Sequence, residues 1–172
     1  WYALARNGRC KMNVQFELNG RLVQTEHEPG TTLMELLRSR ELYSVKHGCD
    51  HGECGACTVL MDSKSVNACL ILVHTVSGRK IETLESFSDH KTMHHIQDNF
   101  LHEGAAQCGY CTPGMILAVE ALKREGGEID EPGVRDALNG NLCRCTGYVK
   151  PVKAGLSTTK ASRDKENAGG DS

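Results

Sequence analysis

Nine cysteines stand in this chain of 172 residues, and eight of them fall into two groups whose spacing suits metal–thiolate chemistry. The first reads Cys49-x4-Cys54-x2-Cys57, with Cys69 following after eleven residues. Three thiolates on one loop with a fourth supplied from a distance is the plant-type spacing for a 2Fe–2S cluster. The second group pairs Cys108-x2-Cys111 with Cys143-x-Cys145. Two sets of four thiolates imply two redox centres, and hence a chain that passes electrons. Cys10 is left over and reads as a free thiol.

A four-thiolate cluster carries negative charge, so its loop must also aim backbone N–H dipoles at sulfur. Gly48, Gly52 and Gly55, interleaved with the first three cysteines, allow the tight and partly left-handed turns this requires. Such hydrogen bonds, together with burial, tune a cluster's potential. Zinc is the chemical rival, because four cysteines also bind zinc tetrahedrally. Zinc ribbons pair two CxxC knuckles, which the first group does not resemble; the second group is less decisive by spacing alone. His47 and His51 flank Cys49 and invite a Rieske-type idea, but four cysteines already complete the set. No HExxH, Ser/His/Asp, GxGxxG or P-loop arrangement is present. Electrons must therefore come from, and go to, another component.

Two kinds of element position these cysteines. Val14, Phe16 and Leu18 alternate with polar residues, and Asn19-Gly20 turns into Leu22 and Val23, predicting a β-hairpin with a type I′ turn. Thr32-Leu33-Met34-Glu35 fits a capping box for a helix ending near Arg40. Thr58 to Met61 and Ser65 to Leu72 read as strands, and Ser77-Gly78 turns into a last strand near Ile81. Strand pair, helix and further strands predict a small α+β, ferredoxin-like β-grasp sheet. Past Ser86 the period becomes helical. Met93, Ile96 and Phe100 lie on one helix, and Thr112-Pro113 opens a second that runs to Gly126-Gly127. Asp130-Glu131-Pro132 opens a third that stops at Asn139-Gly140, and a short fourth follows Thr146-Gly147. The chain is thus expected to divide into an extension 1–11, a ferredoxin-like domain 12–86, an all-α four-helix domain 87–156 and a mobile tail 157–172, which is polar and without apolar period.

The charges nearly balance, with 20 basic and 22 acidic residues, so neither nucleic acid nor a membrane surface is implied as a partner. No run approaches the roughly 18 apolar residues that span a bilayer, and the first residues lack a secretory h-region. CxxC spacing without such a signal favours metal thiolates in a reducing compartment, so the cytoplasm is expected. Aromatic residues make up only 5%; each half is core-poor, and metal ligation should add to its stability.

Three motifs carry a family resemblance: Gly48-Cys49-Asp50-x-Gly52-x-Cys54-Gly55-Ala56-Cys57-Thr58-Val59, Gln107-Cys108-Gly109-Tyr110-Cys111-Thr112-Pro113-Gly114-Met115 and Gly140-Asn141-Leu142-Cys143-Arg144-Cys145-Thr146-Gly147-Tyr148. Over about residues 12–156 the chain resembles the iron–sulfur subunit of the molybdenum hydroxylases, the xanthine dehydrogenase and carbon monoxide dehydrogenase group. The resemblance implies 2Fe–2S clusters on Cys49, Cys54, Cys57 and Cys69, and on Cys108, Cys111, Cys143 and Cys145. It implies a large molybdopterin-binding subunit as partner, approached by Gln107 and Cys145, and an FAD-binding subunit, with a dimer of heterotrimers as the assembly. Electrons would run from molybdenum through the helical-domain cluster and then the ferredoxin-type cluster to FAD or another acceptor, with no catalytic residue on this chain. Ser44-Val45-Lys46 leans toward a purine or other N-heterocycle as substrate; carbon monoxide and aldehydes stay open, as do a free-standing carrier and a structural zinc protein. Gln107 could instead only cap a helix end. Two departures stand out: Ser63 where the strand turn commonly has Gly, and Pro151 inside the expected fourth helix.

Overall fold

The alternation of Val14, Phe16 and Leu18 is realised in the computed structural model, which describes residues 11–87, 94–126 and 129–168. Trp1 to Cys10, Met93 and Gly127 lie outside the described residues. Strand β1 (Met12–Leu18) buries those three side chains and pairs antiparallel with β2 (Arg21–His27), in register from Met12 opposite His27 to Leu18 opposite Arg21. Asn19 and Gly20 take φ of +51° and +76°, the two positive values a type I′ turn requires. Helix α1 (Leu33–Ser39) starts at the expected capping box: Glu35 N donates to Thr32 Oγ1 at 3.2 Å and Thr32 N to Glu35 Oε2 at 2.8 Å.

Strands β3 (Thr58–Met61), β4 (Lys64–Asn67) and β5 (Lys80–Glu82) complete a five-stranded sheet of order β2-β1-β5-β3-β4. β5 runs parallel to β1 and antiparallel to β3. With α1 laid on one face, this is the β-grasp arrangement. The strand read over Ser65–Leu72 is shorter in the structure. It stops at Asn67, and Ala68–Leu70 form a 3₁₀ turn. Asn67 Nδ2 donates to Gly52 O at 2.6 Å and Ala68 N to Cys57 O at 3.2 Å. These bonds draw the chain off the sheet and toward the cysteine loop, so Cys69 sits on a turn rather than a strand.

The β3–β4 turn carries strain. Asp62 and Ser63 take φ of +50° and +70°, a left-handed region that costs a residue with a Cβ about 1–2 kcal/mol. Asp62 has compensation: Lys80 N donates to its carboxylate at 3.0 Å and Arg79 Nη1 at 2.6 Å, and the Lys80 amide foremost, with Arg79, holds its pKa low. Among the described residues, no hydrogen bond to the Ser63 side chain offsets its strain. Ser63→Gly is expected to stabilise the chain by about 0.5–1 kcal/mol after the entropy of the added glycine is counted. That corresponds to roughly 1–4 °C in the melting temperature of the cluster-loaded chain; an unchanged or lower value would contradict the strain.

The second half is helical. Among the described residues, α2 (His95–His102), α3 (Thr112–Arg124), α4 (Glu131–Leu138) and α5 (Val149–Ala168) pack around Ile96, Phe100, Met115, Val119, Val134, Leu138 and Val152. Pro113 sits in the first turn of α3, and Asp130 caps α4 by accepting from Gly133 N at 2.8 Å. Pro151 raises no conflict with α5. It is the third helical residue, and the helix's i→i−4 ladder begins one residue later, with Val152 N donating to Tyr148 O at 3.0 Å. A first-turn N–H has no intrahelical partner to lose.

Helix α5 is also longer than expected, continuing through residues 157–168 where the sequence predicts a mobile tail. Ala, Lys, Arg and Glu are strong helix formers, which carries the helix on without an apolar period. Thr158 is fully buried, and its Oγ1 donates to Ala154 O at 3.2 Å.

Strand β3 joins the two halves. Successive strand residues face opposite sides, so Val59 enters the β-grasp core while Leu60 packs with Leu117 and Ala121 of α3.

Candidate metal centres

Helix α1, the sheet and the 3₁₀ turn bring Cys49, Cys54, Cys57 and Cys69 together. The loop between α1 and β3 is pinned at its start by Arg38 Nη1, which donates to Val45 O at 2.8 Å, and by Lys46 N, which donates to Ala56 O at 3.0 Å. Cys49 and Cys54 are hydrogen-bonded through their thiols, as are Cys57 and Cys69. Cys54 also lies within electrostatic reach of Cys57, and Cys69 within that of Cys49. The backbone N–H of His51, with help from Cys54 and Glu53, brings the Cys49 thiol down to about 6. Ala56 N donates to Cys54 Sγ at 3.5 Å. Burial instead pushes the Cys69 thiol up to about 12. A cleft of about 490 Å³, lined by Arg38, His47 and Asp50, opens onto Cys49 and Cys69. His47 Nε2 lies 2.6 Å from Asp50 Oδ1: His47 engages a carboxylate, and the four sulfurs need no imidazole among them.

The second set gathers at the start of α3 and on the α4–α5 connection. Cys111 and Cys143 thiols are hydrogen-bonded, and so are those of Cys108 and Cys145. Burial raises the Cys111 thiol to about 12. Burial also raises Cys143, but Thr146 outweighs it: Thr146 Oγ1 and N approach the sulfur at 3.1 and 3.4 Å, and the thiol settles at about 7. Tyr148 clamps this loop from within, its hydroxyl accepting from Cys143 N at 2.9 Å and donating to Asn141 O at 3.1 Å. Gln107, Cys108, Arg144 and Cys145 are each exposed.

Each set thus offers four sulfurs and N–H or O–H donors aimed at them, the environment a negatively charged iron–sulfur cluster needs. The donor set fits two 2Fe–2S clusters.

The two loops interlock. Leu142 N donates to Cys54 O at 2.9 Å, and Asn141 Nδ2 donates to Gly55 O at 2.9 Å and Thr58 Oγ1 at 3.1 Å. Tyr110 Oη donates to His47 O at 2.6 Å, with Lys46 Nζ 5.6 Å above its ring. Asn141 and Tyr110 matter because of this junction, a role the reading of the cysteines missed. The available signal was an Asn two residues before Cys143 and a Tyr one before Cys111, polar groups able to reach a neighbouring loop.

Comparison with known proteins finds two cluster-binding domains in succession. Residues 16–82 match a family described as 2Fe-2S iron-sulfur cluster binding domain, and residues 83–156 one described as [2Fe-2S] binding domain. Both sets are thereby assigned to iron–sulfur domains, and the zinc alternative left open by the second set's spacing falls away. The xanthine dehydrogenase iron-sulfur-binding subunit of Escherichia coli O157:H7 is 42% identical over 151 residues, 87% of this chain and 95% of that one. The nicotinate dehydrogenase small FeS subunit of Eubacterium barkeri is 43% identical over 141 residues, 81% of this chain and 90% of that one. Quinoline 2-oxidoreductase from Pseudomonas putida 86 superposes with a TM-score of 0.81 at 35% identity, covering 90% of this chain and 97% of that one. With relatives matched along nearly their whole length and both cluster domains in the same order, this chain belongs to the family of iron–sulfur subunits of the molybdenum hydroxylases.

Proposed function

We propose that the chain relays electrons from a molybdopterin centre on a large partner subunit, through the helical domain and then the β-grasp domain, to FAD or another acceptor on a further partner. Cys108, Cys111, Cys143 and Cys145 hold one 2Fe–2S cluster and Cys49, Cys54, Cys57 and Cys69 the other; bound there, the clusters supply one-electron redox chemistry. The observation that carries the relay is the Leu142 N–H to Cys54 O bond of 2.9 Å. It connects the residue before Cys143 directly to a cysteine of the other set. The exposure of Gln107 and of Cys145 supports entry there, and the cleft over Cys49 and Cys69 supports exit on the other domain. The chain's residues hold, bury and hydrogen-bond sulfur, and bond-making falls to the partner subunit. Several relatives are named for xanthine, nicotinate and nicotine, which supports a purine or other N-heterocycle as substrate.

The complex purified with its partners is expected to contain about four irons per copy of this chain and to show two distinct EPR signals on reduction, because the two loops differ in amide donors and exposure. Two irons, or stoichiometric zinc in place of iron, would overturn the ligand assignment. Turnover assays with xanthine, nicotinate and an aldehyde on the same material decide the substrate; oxidation of the aldehyde alone would remove the heterocycle reading.

A further inference from the structure

We propose that His94, His95 and Glu120 form a site for a divalent transition-metal ion of the zinc class, at the junction of the two domains and separate from both cysteine sets. One ring nitrogen of each histidine and one carboxylate oxygen of Glu120 lie within 4.8 Å of one another. Adjacent helical residues point roughly 100° apart, so neighbouring histidines rarely converge. Here they do because His94 is the N-cap of α2, with extended backbone (ψ 140°), and its ring comes back over His95 with centroids 4.1 Å apart. Phe87 closes the far side of His94 at 4.8 Å.

Two observations beyond proximity point to a ligand. The Glu120 side chain is only 7% exposed and its Oε2 accepts no hydrogen bond; His94 Nδ1 is likewise buried without one. Buried polar atoms without a hydrogen bond destabilise the fold, and at Glu120 Oε2 the ion pair with Lys123 at 3.7 Å offsets this only in part. Further, a cation already occupies the slot: Lys123 Nζ lies 3.0 Å from His95 Nε2 and 3.7 Å from Glu120 Oε2. Its ammonium marks a position of negative potential, and its long stem, 31% exposed, can swing out to solvent. Among the described residues, Arg124 also lies close: it donates to Glu120 Oε1 at 2.8 Å and is balanced by Glu82 at 2.6 Å, so it can stay while Lys123 leaves. Burial keeps His94 neutral to lower pH, leaving its lone pair available.

Two imidazoles and a carboxylate with an open fourth position make a zinc donor set. Ligand atoms around a tetrahedral zinc sit about 3.4 Å apart for bonds of about 2.1 Å, so the rings must turn inward from the 4.8 Å envelope. Metal binding would fasten the first turn of α2 to α3 and, through Arg124 and Glu82, to β5.

The test uses the cluster-loaded chain in its complex, dialysed against micromolar zinc chloride and gel-filtered, with iron and zinc counted together. One zinc per chain is expected in addition to undiminished iron, with a zinc-edge absorption shell of N/O at about 2.0–2.1 Å and no sulfur at about 2.3 Å. His95→Ala and Glu120→Gln should each weaken retention by more than the roughly 10–100-fold that loss of an outer partner costs a metal site. Lys123→Met should tighten it at least about tenfold by removing a competing like charge. Absence of retained zinc, a sulfur shell, or zinc retention unaffected by His95→Ala would overturn the site. Should Glu120→Gln lose iron through misfolding, Lys123→Met still decides, since unchanged or weaker retention there contradicts the proposal.

Discussion

Replacing Gly114 by Ala is expected to empty the second cysteine set while sparing the first. Gly114 lies in the first turn of α3, and a Cβ there would stand 2.5 Å from Gly55 O and 2.8 Å from Asn141 Nδ2. Neither neighbour is a flexible side-chain end: one is backbone, the other a buried amide held by Gly55 O and Thr58 Oγ1. Ala in a helix gains about 1 kcal/mol over Gly. Overpacking costs about 1–3 kcal/mol and orphaning buried hydrogen-bonding groups about 1–3 kcal/mol more, so the substitution should lose about 1–5 kcal/mol net. The strain falls three residues from Cys111, on the segment that aligns Cys108 and Cys111 with Cys143 and Cys145. Iron should fall from about four toward about two per chain, with the loss confined to one of the two EPR signals. Gly133→Ala in α4 is the control, since its Cβ would meet only the Asp130 carboxylate, at 3.0 Å. A Gly114→Ala chain with full iron and unchanged melting temperature would show that the junction does not set the second site.

The second large effect separates the two sets by their place in the relay. Cys54→Ser should damage the β-grasp cluster and block exit of electrons, yet leave reduction of molybdenum by substrate at its normal rate, because that half-reaction comes before this chain is reached. Cys145→Ser should damage the helical-domain cluster and, in the proposed arrangement, also disturb the molybdenum cofactor that the exposed Cys145 would approach. Contacts of this kind change affinity or activity by roughly 10–100-fold. Rapid mixing with substrate, following molybdenum, distinguishes the two variants. Equal slowing of molybdenum reduction by Cys54→Ser and Cys145→Ser would show the proposed order of centres to be wrong.

Local chemistry made much of this molecule legible in its residues. Asn19-Gly20 demands a type I′ turn and Thr32 with Glu35 a capping box, and both stand in the structure. The cysteine spacings likewise announced two sets, and the structure gathers the sulfurs accordingly. What stayed hidden depends on contacts distant in sequence. The apolar run after Ser65 reads as strand until Asn67 is found bonded to Gly52 fifteen residues earlier. Pro151 looks disruptive until the helix start at Val149 is fixed. Asn141 looks like a polar loop residue, yet it is buried against Gly55, 86 residues away in sequence. His94, His95 and Glu120 share no local motif; only the crossing of α2 and α3 unites them.

Strand β3 also limits how this protein could be taken apart. Its two faces serve two cores, with Val59 in one and Leu60 in the other. A β-grasp half cut away after Glu82 would present Leu60 bare to water and leave the Gly55 carbonyl and Thr58 hydroxyl without the Asn141 amide that now meets them. Such a fragment would carry a sticky, half-satisfied sheet face where a diffusing electron shuttle needs a wettable one. The β-grasp half is soldered to its neighbour through its own strand β3.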